Sequence, residues 1–242
     1  MLFYDFHIHS CLSPCADDDM TPGNIAGMGY IKGLGAMALT DHNSCKNCPA
    51  FFKACEKFGI VPIAGMELSS AEDVHLVCLF PTLEKAMAFD SELDSHRMPI
   101  DNRPDIFGNQ IIMGENDEKL GDYERLLIAS TDLWMGDAVE LARSFGALVY
   151  PAHIDRSSNG IIAVLGGFPE EYRFDCIEMR DRSSYDSYCE NHPQIKGLNL
   201  LVCSDAHSLG AISEPENALD IDPNVTEIDK IREQIFNYIS KS

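Results

Sequence analysis

The chain contains 242 residues, of which 39 are acidic and 18 basic, and its formal net charge is −21 at pH 7. This length suits one α/β domain over residues 1–242, and the sequence contains no linker that would divide it. The acidic balance excludes a broad basic surface of the kind that holds long duplex nucleic acid.

Apolar runs rich in β-branched and aromatic residues alternate along the chain with stretches of helical spacing. We predict buried strands at Leu2 to His9, Ala36 to His42, Ile60 to Glu67, Val74 to Phe80, Ala147 to His153 and Leu198 to His207. We predict helices at Ile25 to Leu34, Ala50 to Phe58, Leu83 to His96 and Asp137 to Phe145, and an amphipathic helix at Glu227 to Ser242. Alternating strands and helices favour a mostly parallel sheet, so the pattern predicts a βα barrel.

Residues 99–132 depart from this alternation. They contain a short apolar run at Gln110 to Met113, a polar turn at Gly114 to Glu118 and a second run from Tyr123 to Ala129. We interpret the segment as an insertion that contains a β-hairpin. An insertion over the mouth of a barrel can serve as a lid, and an ordinary surface loop is the alternative.

Histidines and carboxylates recur at the ends of the predicted strands, where βα barrels place their catalytic groups. Residues two apart in a strand point to the same face, so His7 and His9, and likewise Asp205 and His207, can enter one cavity. His75 fits this pattern less well because it comes early in its strand. The pattern predicts a metal site.

Five short motifs carry these residues, in the order His7-Ile8-His9-Ser10, Thr40-Asp41-His42, Gly65-Met66-Glu67, Pro151-Ala152-His153 and Ser204-Asp205-Ala206-His207. Together they resemble the motifs of the PHP (polymerase and histidinol phosphatase) family, over residues 1 to about 210. The resemblance implies a distorted (β/α)7 barrel, a cluster of up to three divalent metal ions, and hydrolysis of phosphoester bonds.

The same resemblance implies a set of metal ligands. The first metal takes His7, His9, Glu67 and Asp205, Glu67 bridges to a second held also by His75 and His153, and the third takes His42, His207 and an acidic residue from the loop after the first strand. Asp17, Asp18 and Asp19 are the candidates for that loop ligand, and the spacing to Thr21-Pro22 in the family selects Asp17. Imidazole with carboxylate suits Zn, Mn or Fe, whereas an all-oxygen set suits Mg or Ca.

Other residues are predicted to assist these ligands. Asp41 is expected to orient a ligand histidine or to bond the backbone. A metal-activated hydroxide would attack the phosphoester, with Asp205 or His207 as the group that delivers a proton to the leaving oxygen. Two arginines follow strand ends, Arg156 after His153 and Arg180 after Cys176 to Met179, and we predict that they bind phosphate, with Arg182 as a further candidate. Surface salt bridges are the alternative for all three arginines.

The predicted substrate is a small phosphomonoester such as histidinol phosphate, or a nucleotide or short oligonucleotide, including a nucleoside 3′,5′-bisphosphate or a 5′ end cut one residue at a time. Hydrolysis of a carbon–nitrogen bond is the enzymatic alternative, because a metal-bound hydroxide also attacks carbonyls. A non-catalytic binding module is a third reading, since a fold alone does not establish catalysis. The sequence shows no signal peptide and no membrane-spanning run, so we expect a cytoplasmic protein.

Two close cysteine pairs lie in the loops after the first two metal motifs. Cys11 and Cys15 follow His9, and Cys45 and Cys48 follow His42. A tetrahedral zinc site or a redox pair would account for this spacing. Four ordinary reduced cysteines are the alternative, which we favour.

Overall fold

The computed structural model describes residues 1–240, so the last two residues of the predicted C-terminal helix, Lys241 and Ser242, lie outside the described part. The strands are β1 (Leu2–Asp5), β2 (Ala36–Leu39), β3 (Val61–Ser69), β4 (His75–Phe80), β5 (Ile111–Met113), β6 (Lys119–Asp122), β7 (Leu148–Pro151), β8 (Cys176–Met179), β9 (Asn199–Val202) and β10 (Ala218–Leu219). The helices are α1 (Pro22–Lys32), α2 (Cys48–Phe58), α3 (Leu83–Leu93), α4 (Pro104–Phe107), α5 (Met135–Ser144), α6 (Ile161–Leu165), α7 (Tyr185–Asn191) and α8 (Ile228–Ile239). Among residues 1–240, no helix combines the length and the apolar character needed to cross a bilayer.

The main sheet has the strand order β10-β1-β2-β3-β4-β7. Strands β1, β2 and β3 are parallel to one another. The pair β8 and β9 is also parallel and continues the sheet beyond β7, because Ile154 N–H donates to the carbonyl of Glu178 at 2.9 Å. The segment after β9 lies beside the segment after β1, because His9 N–H donates to the carbonyl of Ala206 at 2.9 Å. The sheet therefore curls around on itself, which confirms the predicted distorted (β/α)7 barrel.

Strand β4 runs antiparallel to both of its neighbours, β3 and β7, unlike the all-parallel neighbours of a regular barrel. This reversal explains the position of His75. The first residue of an antiparallel strand lies at the same edge of the sheet as the last residues of the parallel strands, and His75 is paired with Ser69 at the end of β3. The early position of His75 in its strand therefore brings it to the site instead of away from it.

Most predicted strands end before the polar residue that was expected to close them. Strand β7 ends at Pro151, and His153 has a φ of 28°. Strand β9 ends at Val202, and Asp205 has a φ of 52°. Left-handed backbone is costly for residues other than glycine and is found at functional sites more often than elsewhere. The backbone thus leaves the regular strand conformation before it reaches His153 and Asp205.

Capping residues set the limits of the helices that pack outside the sheet. The hydroxyl of Thr21 accepts from Asn24 N–H and starts α1, which ends at Gly33 with a φ of 78°. Thr82 caps α3 in the same way through Lys85 N–H. The amphipathic helix predicted at the C-terminus is α8, and its Ile235 and Ile239 are buried in the core.

The segment 99–132 contains a hairpin, as predicted, formed by β5 and β6, but β6 (Lys119–Asp122) precedes the apolar run Tyr123 to Ala129 that was named in the sequence. Its backbone is fixed to the loops that follow β1 and β2. Ile111 N–H donates to the carbonyl of Cys11 at 2.8 Å, and the Asn43 side-chain amide donates to the carbonyls of Leu127 at 2.8 Å and Ala129 at 3.0 Å. The segment therefore forms a fixed wall beside the site.

Candidate metal centre

The carboxylate of Glu67, near the end of β3, lies at the centre of a cluster of histidines and is 1% exposed. Its Oε1 lies 2.8 Å from His75 Nδ1, 3.0 Å from His153 Nε2 and 3.4 Å from His7 Nε2. Its Oε2 lies 3.0 Å from His42 Nδ1. One carboxylate thus contacts imidazoles contributed by four different strand ends.

Asp205 and His9 extend the cluster toward the barrel mouth. Asp205 Oδ1 lies 3.3 Å from His9 Nε2 and 3.5 Å from His7 Nε2. His9 Nε2 also lies 3.3 Å from Glu67 Oε2. The imidazole of His207 stacks on that of His9, with ring centroids 4.2 Å apart. The carboxylates of Glu67 and Asp205 therefore share two histidine neighbours, His7 and His9.

Three groups of side chains within residues 1–240 have ligand atoms close enough to share a metal ion: His7, His9, Glu67 and Asp205; His42, Glu67 and His75; and His9, His42 and His207. The first group is the predicted first ligand set. In the second group, His42 takes the place predicted for His153 beside Glu67 and His75. In the third, His9 joins the predicted pair of His42 and His207. His153 is in none of these three groups, although its Nε2 lies 3.0 Å from Glu67 Oε1. The exposed Asp17 is in none of these groups, although its N–H donates to the His207 carbonyl at 2.9 Å, so Asp17 as a ligand stays a prediction.

Several buried atoms of the cluster have no hydrogen-bond partner, which is rare in folded proteins. They include Glu67 Oε2, Asp205 Oδ1 and His42 Nδ1. His42 Nδ1 and Glu67 Oε2 are close, but not in hydrogen-bond geometry. Nitrogen and oxygen lone pairs that converge without donors between them are what a divalent metal ion requires, so the residues fit the implied metal cluster.

The charges of the cluster also favour cations. Burial opposes ionisation of Glu67, but His75 and His7 outweigh it and lower the pKa of this carboxyl. Burial likewise opposes protonation of His9, yet the neighbouring carboxylates of Asp205 and Glu67, each 3.3 Å from its Nε2, raise its pKa to about 9. By contrast, burial lowers the pKa of His42 to about 3. The carboxylates thus attract positive charge, and His42 presents a neutral imidazole with a free lone pair.

The two predicted proton donors have pKa values that favour ligation. Burial lowers the pKa of His207 to about 4, which leaves its imidazole neutral at pH 7. Burial opposes ionisation of Asp205, but His7 and His9 outweigh it and lower the pKa of this carboxyl. Both shifts favour the forms that can bind a cation, and a role of either group in proton delivery stays a prediction.

Sequence reasoning missed Glu178, a fully buried residue of β8. Its Oε1 accepts from His7 Nδ1 at 2.8 Å and from His153 N–H at 3.0 Å. A carboxylate behind a ligand histidine fixes the ring and its tautomer, so that the other nitrogen faces the metal. The sequence signal was a glutamate inside the otherwise apolar run Cys176–Met179. A buried strand tolerates such a residue only when its carboxylate has hydrogen-bond partners.

Asp41 and Ser13 hold two other histidines of the cluster, His9 and His42, from behind. Asp41 accepts from Ser10 N–H at 2.7 Å and from the Ser13 hydroxyl at 2.7 Å. The Ser13 oxygen lies 2.9 Å from His9 Nδ1 and accepts from His42 N–H at 3.1 Å. Asp41 therefore bonds the backbone and also orients His9 through Ser13.

Asp5, at the end of β1, is a second carboxylate whose role the sequence did not disclose. It is fully buried and accepts from the Ser204 hydroxyl at 2.6 Å, Ser204 N–H at 3.1 Å and Ser213 N–H at 2.9 Å. These bonds hold the backbone on either side of Asp205, whose left-handed conformation needs such support.

A cavity of about 430 Å³ opens above the cluster and is lined in part by His42, His75, Asp205 and His207. Arg156 and Arg180 also line it, as predicted for phosphate-binding residues, while Ile128 of the insertion forms part of the wall. Arg156 Nη1 donates to Asp205 Oδ2 at 3.0 Å. The side chain of Arg180 has no partner within residues 1–240. Arg182 lines a different cavity, beside Tyr4.

The four loop cysteines occupy different surroundings. Cys45 and Cys48 are buried in the main core, and both thiols face the carbonyl of Gly65, at 3.3 and 3.7 Å. Cys11 packs with Met113 in a separate small cluster. Cys15 is exposed and lies at the edge of the cavity above the histidines. In the described part of the chain, no group of possible metal ligands includes a cysteine.

Comparison with known sequences identifies relatives of this chain. The family model described as PHP domain matches residues 5–164. Over 79 residues, which are 33% of this chain and 7% of the other protein, the sequence is 33% identical to the error-prone DNA polymerase of Symbiobacterium thermophilum. The matched part is thus a small fraction of that polymerase.

Solved structures share the fold at low identity. The lesion-specific endonuclease PfuEndoQ from Pyrococcus furiosus superposes with a TM-score of 0.62 at 21% identity, over 86% of this chain and 49% of that chain. An amidohydrolase from Chromobacterium violaceum has a TM-score of 0.59 at 17% identity and covers 96% of both chains. A protein from Bifidobacterium adolescentis, provisionally described as a metal-dependent phosphoesterase, has a TM-score of 0.58 at 16% identity, over 96% of this chain and 95% of that chain. The chain spans about half the length of the endonuclease.

Proposed function

Since the chain belongs to the PHP domain family, we propose that this metal-dependent hydrolase cleaves phosphoester bonds, with a small phosphomonoester, a nucleotide or a short oligonucleotide as substrate. The observation that carries the proposal is the arrangement of two arginines at the mouth of the histidine and carboxylate cluster. Arg156 and Arg180 line the same cavity as His42, His75 and His207. A guanidinium group can bind phosphate oxygens through two parallel hydrogen bonds.

Arg156 is well placed to orient a phosphate. Its Nη1 is bonded to Asp205 Oδ2 at 3.0 Å, and its side chain is 34% exposed, so its remaining N–H groups are open to the cavity. The bond to Asp205 fixes the guanidinium plane relative to the metal ligands. A carbonyl substrate would not need this cation, and the position of Arg156 therefore favours phosphoester over carbon–nitrogen hydrolysis.

The residues that would hold divalent Zn, Mn or Fe ions are those of the cluster centred on Glu67 and Asp205. When bound, such ions supply an activated water as the nucleophile and offset charge on the phosphoryl oxygens. The protein's own residues do the rest. Glu178, through His7, and Asp41, through Ser13, hold ligand rings in place, and the arginines bind and orient the phosphate.

The charge of the chain limits the size of the substrate. Endonuclease Q has been solved with a 27-mer duplex that carries an abasic lesion at its active site, but this chain matches about half of that protein. With a net charge of −21, the chain offers little to hold the phosphates of a long duplex. A short substrate, held by the metal cluster and two arginines, is therefore the better proposal.

The test of this function is hydrolysis of an aryl phosphate and of a 3′,5′-bisphosphonucleotide in the presence of manganese. His9→Ala and Asp205→Asn each remove a ligand atom, so turnover should fall by more than about 100-fold, which exceeds the usual effect of an outer-shell partner. His96→Ala is the matched control, because His96 pairs with Asp132 away from the cluster. If the metal-loaded wild type hydrolyses neither phosphate, a carbon–nitrogen hydrolase or a binding module replaces this proposal.

Arg156→Ala should raise KM for an aryl phosphate by about 10-fold or more, because a charge-assisted hydrogen bond to the phosphate is lost. Arg156→Lys should restore only part of this loss, since lysine lacks the planar fork. Steady-state kinetics measure the effect, with Arg182→Ala as the control that lies beside another cavity. An unchanged KM in the Arg156→Ala enzyme would contradict the phosphate-binding role.

A further inference from the structure

A second cavity, of about 520 Å³, opens beside the metal centre, and we call it the side cavity. It shares Arg156 and Arg180 with the cavity above the histidines. The two arginines therefore form the boundary between both spaces. A phosphate bound to these arginines at the metal cluster would direct the rest of its substrate into the side cavity.

The side cavity contains polar groups that are not used by the fold. Glu216, which is exposed, and Asn217, which is half-buried, line both this cavity and the neighbouring one beside Tyr4, and neither side chain has a hydrogen-bond partner within residues 1–240. Other carboxylates of the cavity are engaged. Asp155 accepts from the N–H groups of Arg180 and Asp181, Asp181 accepts from Ser183, and Glu214 pairs with Lys32 Nζ at 2.9 Å. Glu216 and Asn217 are thus the groups left to meet a ligand.

The chemistry of these groups selects the kind of ligand. A carboxylate accepts hydrogen bonds, and an amide both donates and accepts them, so together they match hydroxyl groups, which do the same. Carboxylates at ribose hydroxyls in dinucleotide-binding folds are a known case of such a pairing. A second phosphate does not fit, because it carries only acceptors and would lie beside the negative charges of Asp155, Asp181 and Glu216. An apolar group would leave the polar lining unpaired.

We propose that the side cavity binds the leaving group of the substrate, and that this group carries vicinal hydroxyls, as a sugar or another polyol does. The proposal rests on the phosphoesterase function proposed above and narrows it to phosphomonoesters of hydroxylated alcohols. Glu216 and Asn217 contact the hydroxyls, while Arg156 and Arg180 hold the phosphate at the boundary. Among the substrates considered from the sequence, the 3′,5′-bisphosphate is then disfavoured.

Hydrolysis of three phosphates by the manganese-loaded enzyme tests the inference. We expect kcat/KM for ribose 5-phosphate to exceed that for phenyl phosphate and for a 3′,5′-bisphosphonucleotide by about 10-fold, the effect of a hydrogen bond to a charged group. In Glu216→Gln the preference for ribose 5-phosphate over phenyl phosphate should fall by a similar factor. Glu190→Gln, the same change on an exposed position of α7, should keep the wild-type preference.

Binding provides a readout that does not depend on turnover. Calorimetric titration of the manganese-loaded enzyme with the phosphonate analogue of ribose 5-phosphate and with phenylphosphonate, neither of which is hydrolysed, should give a lower Kd for the sugar by about 10-fold. Equal Kd values, or a preference for the bisphosphonucleotide, overturn the side-cavity proposal while leaving the phosphoesterase function intact. No turnover of any phosphate removes the function, and the inference with it.

Discussion

Glu67→Gln is expected to prevent metal binding and to abolish hydrolysis. The carboxylate contacts His75, His153 and His42 at 2.8 to 3.0 Å, and it belongs to two of the three groups of possible ligands. An amide keeps the volume but lacks the negative charge and one acceptor oxygen, so it cannot bridge two cations. Mutation of a residue that only supports a metal ligand lowers activity by about 10–100-fold. We expect turnover of the Glu67→Gln protein to fall by more than this.

Metal content, measured by plasma mass spectrometry on protein purified without chelators, checks this result alongside turnover. Glu190→Gln makes the same chemical change on the exposed surface of α7 and should retain the wild-type metal content. A Glu67→Gln protein with a full complement of metal would contradict the central place that the structure gives this carboxylate.

Glu178→Ala is expected to lower metal affinity and stability together. It removes the acceptor of both His7 Nδ1–H and His153 N–H, and each buried donor left unpaired costs about 1–3 kcal/mol. The His7 ring also loses the partner that fixes its tautomer, which costs about 10–100-fold in metal affinity. Glu178→Gln retains one acceptor oxygen, so its free energy of unfolding should lie closer to that of the wild type.

Metal titration and denaturant unfolding separate these two effects. Because Glu178→Ala can fail to fold, the Glu178→Gln protein carries the test of metal affinity, which should fall by about 10-fold as the negative charge behind His7 is lost. Glu140→Ala, an exposed glutamate on α5, is the matched control for unfolding. Wild-type metal affinity in a folded Glu178→Ala protein would show that His7 does not need this partner.

The alternation of strands and helices was readable from the sequence because buried strands and amphipathic helices have different apolar periods. The candidate metal ligands were readable for a related reason. Residues near or just after the ends of neighbouring strands meet at one edge of a barrel, as His42, which follows β2, and Glu67, near the end of β3, show. The ends of the strands were less well predicted, since the positive φ values of His153 and Asp205 depend on bonds from other elements.

The sequence by itself determined the kind of donor atoms, their order along the chain and the barrel that would gather them, because these follow from local pattern and residue chemistry. Only the tertiary structure decided which of these atoms lie close enough to share a cation. The reversed direction of β4 brings His75 to Glu67, and β8 places Glu178 behind His7. Both depend on contacts between residues far apart in the chain, and no local period encodes the direction of a strand or the partner of a buried carboxylate.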